Sequence, residues 1–558
     1  MDTYRAAFST QFDKGTLRPF VLLPYHLYGM LLLLIYLCIP HTTRPWLFKA
    51  RWGVLALIWW WQWKTLWDMT SMSMAFGYVA GLISVWGAVC SATWLVWCRP
   101  QFDAKRVERR RVQRKTVTGN GAENLDLSMA NGGTIGRGKQ THTNWEAHGE
   151  PNRNANMLQR ILVNGNAKGK ETEDFTKANG HAKNVASGIK REVQGASADW
   201  EYYWQPYPDT FGERFGWVMD LLINFRGPGW NWAIPPLPPL PPSIKLALAE
   251  PVDEASVSGV SHVGLIRIDT RRELFNTHIP RFTIGYFLLD VLKVVMMKDP
   301  YFIFGPNTYA LPAHLATLSH FQLQMFRTFL NCSAIIVSLE MVFSFAPIVG
   351  SLLLGPRSLG LRGEPYYYAT TWGSVSNITN KGLNGLWGGW WHQIFRHIFA
   401  APTNYLVASG YVKVGSLEAK LVALLFAFSI SSFLHIGGSI SQFPRTHPWH
   451  PPFFFVLQAL GILIQMAMCS CLYSYIKMLP NFVRQAGNFA FTFTWLFYTS
   501  WWLTDDFARG GIWLYEPIPI SPLRGFGFGD KGDGWWCWEH IGVGWYSGKH
   551  WWECGIYI

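Results

Sequence analysis

The chain has 558 residues, of which 49% are hydrophobic and only 15% charged, and it carries 31 Trp and 37 Phe. At that length several soluble domains would be ordinary, but recurring uncharged apolar runs exclude them and indicate an all-α polytopic membrane protein. The net charge of +13 owes much to one basic tract and the polar segment behind it, so it says little about a substrate.

Residues 1–20 carry Arg5, Lys14 and Arg18, and no small-residue cleavage site follows the first apolar run. No cleaved signal peptide is expected. Spans are expected over 21–39, 52–67 and 74–98, the second tilted at the interface by Trp59, Trp60, Trp61 and Trp63. Residues 1–98 thus form an N-terminal set of transmembrane helices. The next unit, 99–200, opens with Arg99, Lys105, Arg106, Arg109, Arg110, Arg111, Arg114 and Lys115 against Asp103 and Glu108. Behind a span this is the positive-inside pattern, which puts this end in the cytosol and near anionic lipid headgroups. A nucleic-acid partner is not expected, because attachment to a membrane span explains the charge more simply. From 116 to 198 the chain is rich in Gly, Asn, Lys, Ser and Thr. It cannot bury a core, so a disordered cytosolic loop is expected.

Residues 201–280 read as a connector. Positions 202–232 are aromatic and amphipathic, as in an interfacial helix, and 234–242 (IPPLPPLPP) must be extended polyproline. The unit 281–505 holds the remaining spans. One, 282–297, contains Asp290 and Lys293, which suit either an interfacial pair or a polar lining. Another, 328–354, contains Glu340, a carboxylate that needs a partner there. The polar connection 355–385 carries Arg357, Arg362 and Lys381, which suit phosphate groups or an ordinary basic loop. Residues 386–402 read as an aromatic helix with Trp391, His392, Phe395 and Phe399 on one side, and with His392 and Arg396 as i,i+4 neighbours.

The span 417–442 ends in one ionisable side chain, His435. On a helical wheel, Ser431, Ser432, Gly438, Ser439 and Gln442 fall on its side, while Phe433, Leu434, Ile436 and Ile440 point elsewhere. Small residues admit a close neighbour or a substrate. An ionisable group in a span suggests function, although a histidine bonded to a neighbouring helix for packing alone fits the same pattern. The loop 443–452 adds His447 and His450, but with prolines around them and no third ligand a metal site is not expected. Spans are expected over 453–479 and 489–504, and the aromatic tail 506–558 reads as interfacial. The eight cysteines show no metal or disulfide spacing. Asn331 and Asn377 head glycosylation triplets.

Two blocks taken together carry a resemblance: Trp391-His392-Gln393-Ile394-Phe395-Arg396, and Ser431 to His435 with small residues behind. A W-H-Q-x-x-R block followed some forty residues later by S-x-x-x-H resembles the membrane-bound O-acyltransferase superfamily. The similarity is to its wax-synthase-like branch of fungal secondary-metabolite O-acetyltransferases, and it covers about 281–505. It implies a multi-helix bundle enclosing an intramembrane reaction chamber, in the endoplasmic reticulum. It implies His435 as the catalytic base and His392 lining the same chamber, with Trp391, Gln393, Arg396, Ser431, Ser432 and Ser439 as substrate- or CoA-binding candidates. The implied co-substrate is acetyl-CoA, with no bound cofactor, and the acceptor is a hydroxyl of a hydrophobic, terpenoid-type metabolite. Gly388 and Gly389 stand where many relatives carry basic residues. A long-chain wax or sterol ester synthase is the near alternative. A proton-coupled transporter using His435, Glu340 and Asp290 is the distant one, and it would call for inverted repeats that the chain does not display.

Overall fold

Eleven helices position the site: α1 Tyr28–Cys38, α2 Arg51–Asp68, α3 Met74–Ala92, α4 Phe211–Ile223, α5 Arg271–Met296, α6 His320–Pro347, α7 Arg396–Ala408, α8 Leu417–Ile440, α9 His450–Cys471, α10 Asn481–Thr499 and α11 Trp501–Arg509. The computed structural model describes residues 2–15, 17–111, 200–530, 532–538 and 543–558. The loop expected over 116–198 lies outside the described residues. Among those described, four helical stretches are long and apolar enough to cross a membrane: Met74–Trp97, His320–Gly363, Leu417–Ile440 and His450–Cys471. Helices also form at the other expected spans, as α1, α2, α5 and α10. The architecture is that of an all-α membrane protein with only short strands.

α8 begins at Ser416, whose side chain accepts from the Ala419 N–H, and Glu418 places a carboxylate in the first turn. Both satisfy the positive, donor-rich end of the helix. Its far end lies against α3 through glycines. A Cβ on Gly81 would collide with the Gly437 carbonyl, and one on Gly437 would meet the Gly81 carbonyl and Val85. The Ser441 hydroxyl donates across the same contact to the Gly77 carbonyl at 2.7 Å. The small residues around His435 therefore bring two backbones together, as small residues do between membrane helices. α8 also packs along α7 and α9.

Part of the basic tract is built into the fold. β1 (Arg106–Arg111) pairs antiparallel with β2 (Trp200–Gln205), from Arg106 opposite Gln205 to Arg111 opposite Trp200. Arg106 donates to Asp220 on α4 at 3.2 Å, and Arg362 donates to the same carboxylate at 2.9 Å. Arg362 also pairs with Glu108, and Arg109 with Glu364 at 3.1 Å. Arg362 is thereby spent on protein carboxylates, which removes it as a phosphate contact. α4, within the segment read as amphipathic and interfacial, buries Trp217, Val218 and Leu221 in one core cluster with Leu33 of α1 and leaves Phe211, Phe215 and Ile223 exposed.

Asp290 and Lys293 turn out to be fastenings. Asp290 accepts from the Ser521 hydroxyl and from the Leu523 N–H at 2.9 Å. Lys293 donates to the Trp513 and Tyr515 carbonyls at 2.7 and 3.1 Å. Together they pin the tail to α5. The tail is also paired rather than merely interfacial, since Gly555–Tyr557 forms a sheet with Val21–Leu23 on one side and Gly544–Tyr546 on the other. Neither glycosylation triplet offers a free asparagine. Asn331 donates to the Arg327 carbonyl inside α6, Asn377 donates to the Val263 and Ser374 carbonyls, and both are buried.

Candidate active site

His435 is held from three helices. Its Nδ1 lies 2.6 Å from the hydroxyl of Tyr78 on α3. One turn on from His435 along α8, Gly438 makes this reach possible, because a Cβ there would run into the Tyr78 ring. The imidazole stacks on Phe455 of α9 at 4.8 Å between centroids and an interplanar angle of 29°. Phe507 of α11 closes the third side, tilted to the imidazole at 6.5 Å and edge-on to Tyr78 at 5.2 Å. With Nδ1 engaged, Nε2 of the half-buried ring has no hydrogen-bond partner among the described residues and is not sealed from access.

His392 arrives on a turn, not on the helix its periodicity suggests. The expected helix over 386–402 breaks: Leu386–Trp390 forms a wide turn, Trp391 is extended at φ −59° and ψ 147°, and α7 starts only at Arg396. The cause is close packing at two glycines. A Cβ on Gly389 would enter the Asn377 side chain, and the Gly389 carbonyl fills the space where a Cβ on Gly373 would lie. His392 and Arg396, four residues apart, therefore do not share a helix face. The turn is locked from within. Gln393 donates to the Trp387 carbonyl at 3.1 Å and to the Trp391 carbonyl, and Arg396 donates to the Gly388 carbonyl at 3.0 Å and to Gln393.

This turn aims the His392 ring into an aromatic wall of Phe343, Trp391, Phe395 and Trp372, at centroid distances of 5.1, 5.3, 5.7 and 6.0 Å. Its Nδ1 is buried without a partner. A run of rings links His392 to His435: Trp391 packs on Trp387 at 5.4 Å, Trp387 on Phe454 at 6.1 Å, Phe454 on Phe455 at 5.0 Å, and Phe455 on His435. Two histidines far apart in sequence thus share one site. Trp387 bridges the turn to α8 and α9 through Phe428 and Phe454, each at 6.1 Å. Glu340 acquires its partners here: Trp372 donates to it at 2.6 Å, and Arg281 and Ser344 approach at 3.4 Å.

The serines divide. Ser432 donates to the Phe428 carbonyl of its own helix at 2.8 Å, and Ser439 bonds the Thr446 hydroxyl at 2.6 Å, so both are engaged. Ser431 is half-buried one turn before His435. Among the described residues no three His, Cys, Asp or Glu side chains gather as metal ligands. The His447 and His450 rings face each other at 4.8 Å, and the His447 N–H donates to Asp506 at 2.8 Å.

Sequence reasoning misses Tyr78, Trp372 and Arg226. For Tyr78 one signal exists: Gly77, Gly81 and Ser84 make a small-residue stripe on α3 that matches Gly437-Gly438 on α8. Nothing local marks the other two.

The family model described as "Membrane bound O-acyl transferase family" matches residues 368–457, a segment that contains both histidines. The chain is 23% identical to the O-mevalon transferase macI of Penicillium terrestre over 51% of its own length and 60% of that protein. It is 29% identical to the acetyltransferase fsoF of Humicola fuscoatra over 18% of the chain and 24% of the relative. An acetyltransferase of Arthrobotrys oligospora is 23% identical over 47% of the chain and 52% of the relative. The chain therefore spans at most 60% of the length of these curated relatives. No solved structure matches. The matched segment, which carries the His392 turn and all of α8, is thus similar to the membrane bound O-acyl transferase family.

Proposed function

We propose that this protein transfers an acetyl group from acetyl-CoA to a hydroxyl of a hydrophobic, terpenoid-type metabolite in the endoplasmic reticulum membrane, with His435 as general base. The observation that carries this reading is the Tyr78 bond to Nδ1, which leaves Nε2 of His435 open at a site shared with His392. Histidine suits the task because its ordinary pKa lies near neutrality, so it can take and return a proton. Nε2 removes the proton of the acceptor hydroxyl as the oxygen attacks the thioester carbonyl. The tetrahedral intermediate collapses by breaking the carbon–sulfur bond, and the CoA thiolate leaves with the proton that His435 took up. His392, on its locked turn, orients the reactants or donates to the developing oxyanion. The aromatic walls limit water, the competing nucleophile. Acetyl as the donor group is supported by the names of two relatives, and the hydrophobic acceptor by the aromatic lining. The test is ester formation by the parent and His435→Gln with labelled acyl-CoAs of graded length. Acetyl transfer by the parent alone supports the reading, and a preference for long chains would replace it with a wax or sterol ester synthase.

Tyr78 acts on this reading as a positioning residue. Tyr78→Phe keeps the ring in its slot against Gly438 and removes only the hydroxyl. A single neutral hydrogen bond is worth about 1 kcal/mol, or roughly fivefold in rate. kcat is expected to fall by about that factor with KM unchanged. A raised KM at constant kcat would place Tyr78 in substrate binding instead.

A further inference from the structure

Beside His392 lies a cation that the protein leaves without an acidic partner. Arg226 sits on the loop after α4, half-buried, and its guanidinium donates to the carbonyls of Ala369 at 2.7 Å and Thr370 at 2.9 Å. Among the described residues no carboxylate pairs with it. The carboxylates on either side are taken: Asp220 by Arg106 and Arg362, and Glu340 by Trp372, Arg281 and Ser344. Two contacts fix its place at the site. Its neighbour Phe225 packs on Phe395 at 6.0 Å, and Phe395 touches His392. Trp372, two residues past Thr370, touches His392 from the other side.

Unused polar capacity gathers around it. His278 of α5 bonds Ser344 through Nδ1 at 3.2 Å, Ser344 approaches Glu340, and Glu340 accepts from the Trp372 that touches His392; the Nε2 of His278 is buried without a partner. His392 has its Nδ1 in the same condition. Carbonyl dipoles orient a guanidinium but do not neutralise it, and a charge taken out of water is costly until an opposite charge meets it. The planar fork of arginine matches the paired oxygens of a carboxylate or phosphate.

We propose that Arg226, flanked by His278 and His392, forms an anion subsite that takes carboxylate or phosphate oxygens of a substrate. The proposal rests on the acyl-transfer reading for the identity of that substrate, which is either the phosphate-bearing coenzyme A portion of the donor or an acyl group that ends in a carboxylate.

Binding separates this from turnover. Calorimetry on the detergent-purified full chain would use three probes: coenzyme A, S-glutarylpantetheine with a carboxylate and no phosphate, and S-acetylpantetheine with neither. Arg226→Gln keeps amide N–H groups for the Ala369 and Thr370 carbonyls and removes the charge, and Arg226→Lys keeps the charge. Arg226→Gln is expected to weaken coenzyme A, S-glutarylpantetheine or both by at least about tenfold, leave S-acetylpantetheine unchanged, and be largely reversed in Arg226→Lys. Loss confined to coenzyme A identifies phosphate as the source, and loss confined to S-glutarylpantetheine identifies carboxylate. Equal affinities of parent and Arg226→Gln for all three probes, or no binding of either anionic probe by the parent, would overturn the subsite. Because these affinities are read without turnover, an inactive protein that still binds anions through Arg226 would reject the acyl-transfer reading and not the subsite.

Discussion

His435→Gln is expected to reach the membrane at normal abundance, melt near the parent temperature and form essentially no ester. General-base catalysis contributes about 10² to 10⁴ in rate, and the loss should be at least that large. Glutamine is the informative replacement. Its amide nitrogen can still donate to the Tyr78 hydroxyl, and its length lets it lie against Phe455, so the three-helix grip on the side chain is largely kept. What it lacks is a nitrogen that accepts a proton at neutral pH. If His435 only ties α8 to α3, glutamine should cost little, because such bonds between membrane helices average about 0.6 kcal/mol. Activity within a few-fold of the parent would therefore remove His435 as the base and leave His392, the other imidazole at the site, as the next residue to replace.

The contrast between these two histidines shows what a sequence can disclose. α8 is legible because its apolar length, its Ser416 cap and its small-residue stripe around His435 all act within a single helix. The His392 turn is not. Periodicity places 386–402 on one helix, but Gly389 meets Asn377 and Gly373 meets Gly389, and close approaches between separate segments decide the backbone there. Tyr78 lies beyond the reach of pattern for the same reason, since its partner is on a different helix and its slot exists only where Gly438 lacks a side chain. The basic tract is a related case. Arg106 and Arg109 give no sign in the sequence of Asp220 and Glu364, which the fold supplies from distant segments. The polar residues of 282–297 carry no clue that Asp290 and Lys293 face the tail.

Asp220→Ala is expected to destabilise the protein by about 3–5 kcal/mol, the usual cost of removing one member of a buried ionic cluster. The carboxylate is almost fully buried and accepts from both Arg106 and Arg362. Its loss leaves two largely buried guanidinium groups sharing Glu108. Arg110→Ala, on the same strand pair, removes an exposed ion pair with Glu201 and should leave the melting temperature unchanged. The functional signature should be the reverse of that for His435→Gln. No side chain of the cluster touches His435, so the folded fraction of Asp220→Ala, assayed well below its lowered melting temperature, should keep kcat within a few-fold of the parent. The cluster does anchor both segments that place Arg226: α4, whose end leads into its loop, and the chain after Arg362 that supplies the Ala369 and Thr370 carbonyls. Loosening those anchors should show as weaker anion binding before any loss of kcat. Melting of Asp220→Ala at the parent temperature would mean that Arg106 and Arg362 are satisfied without it and that the ionic cluster is not what holds β1, α4 and the 360–370 segment together.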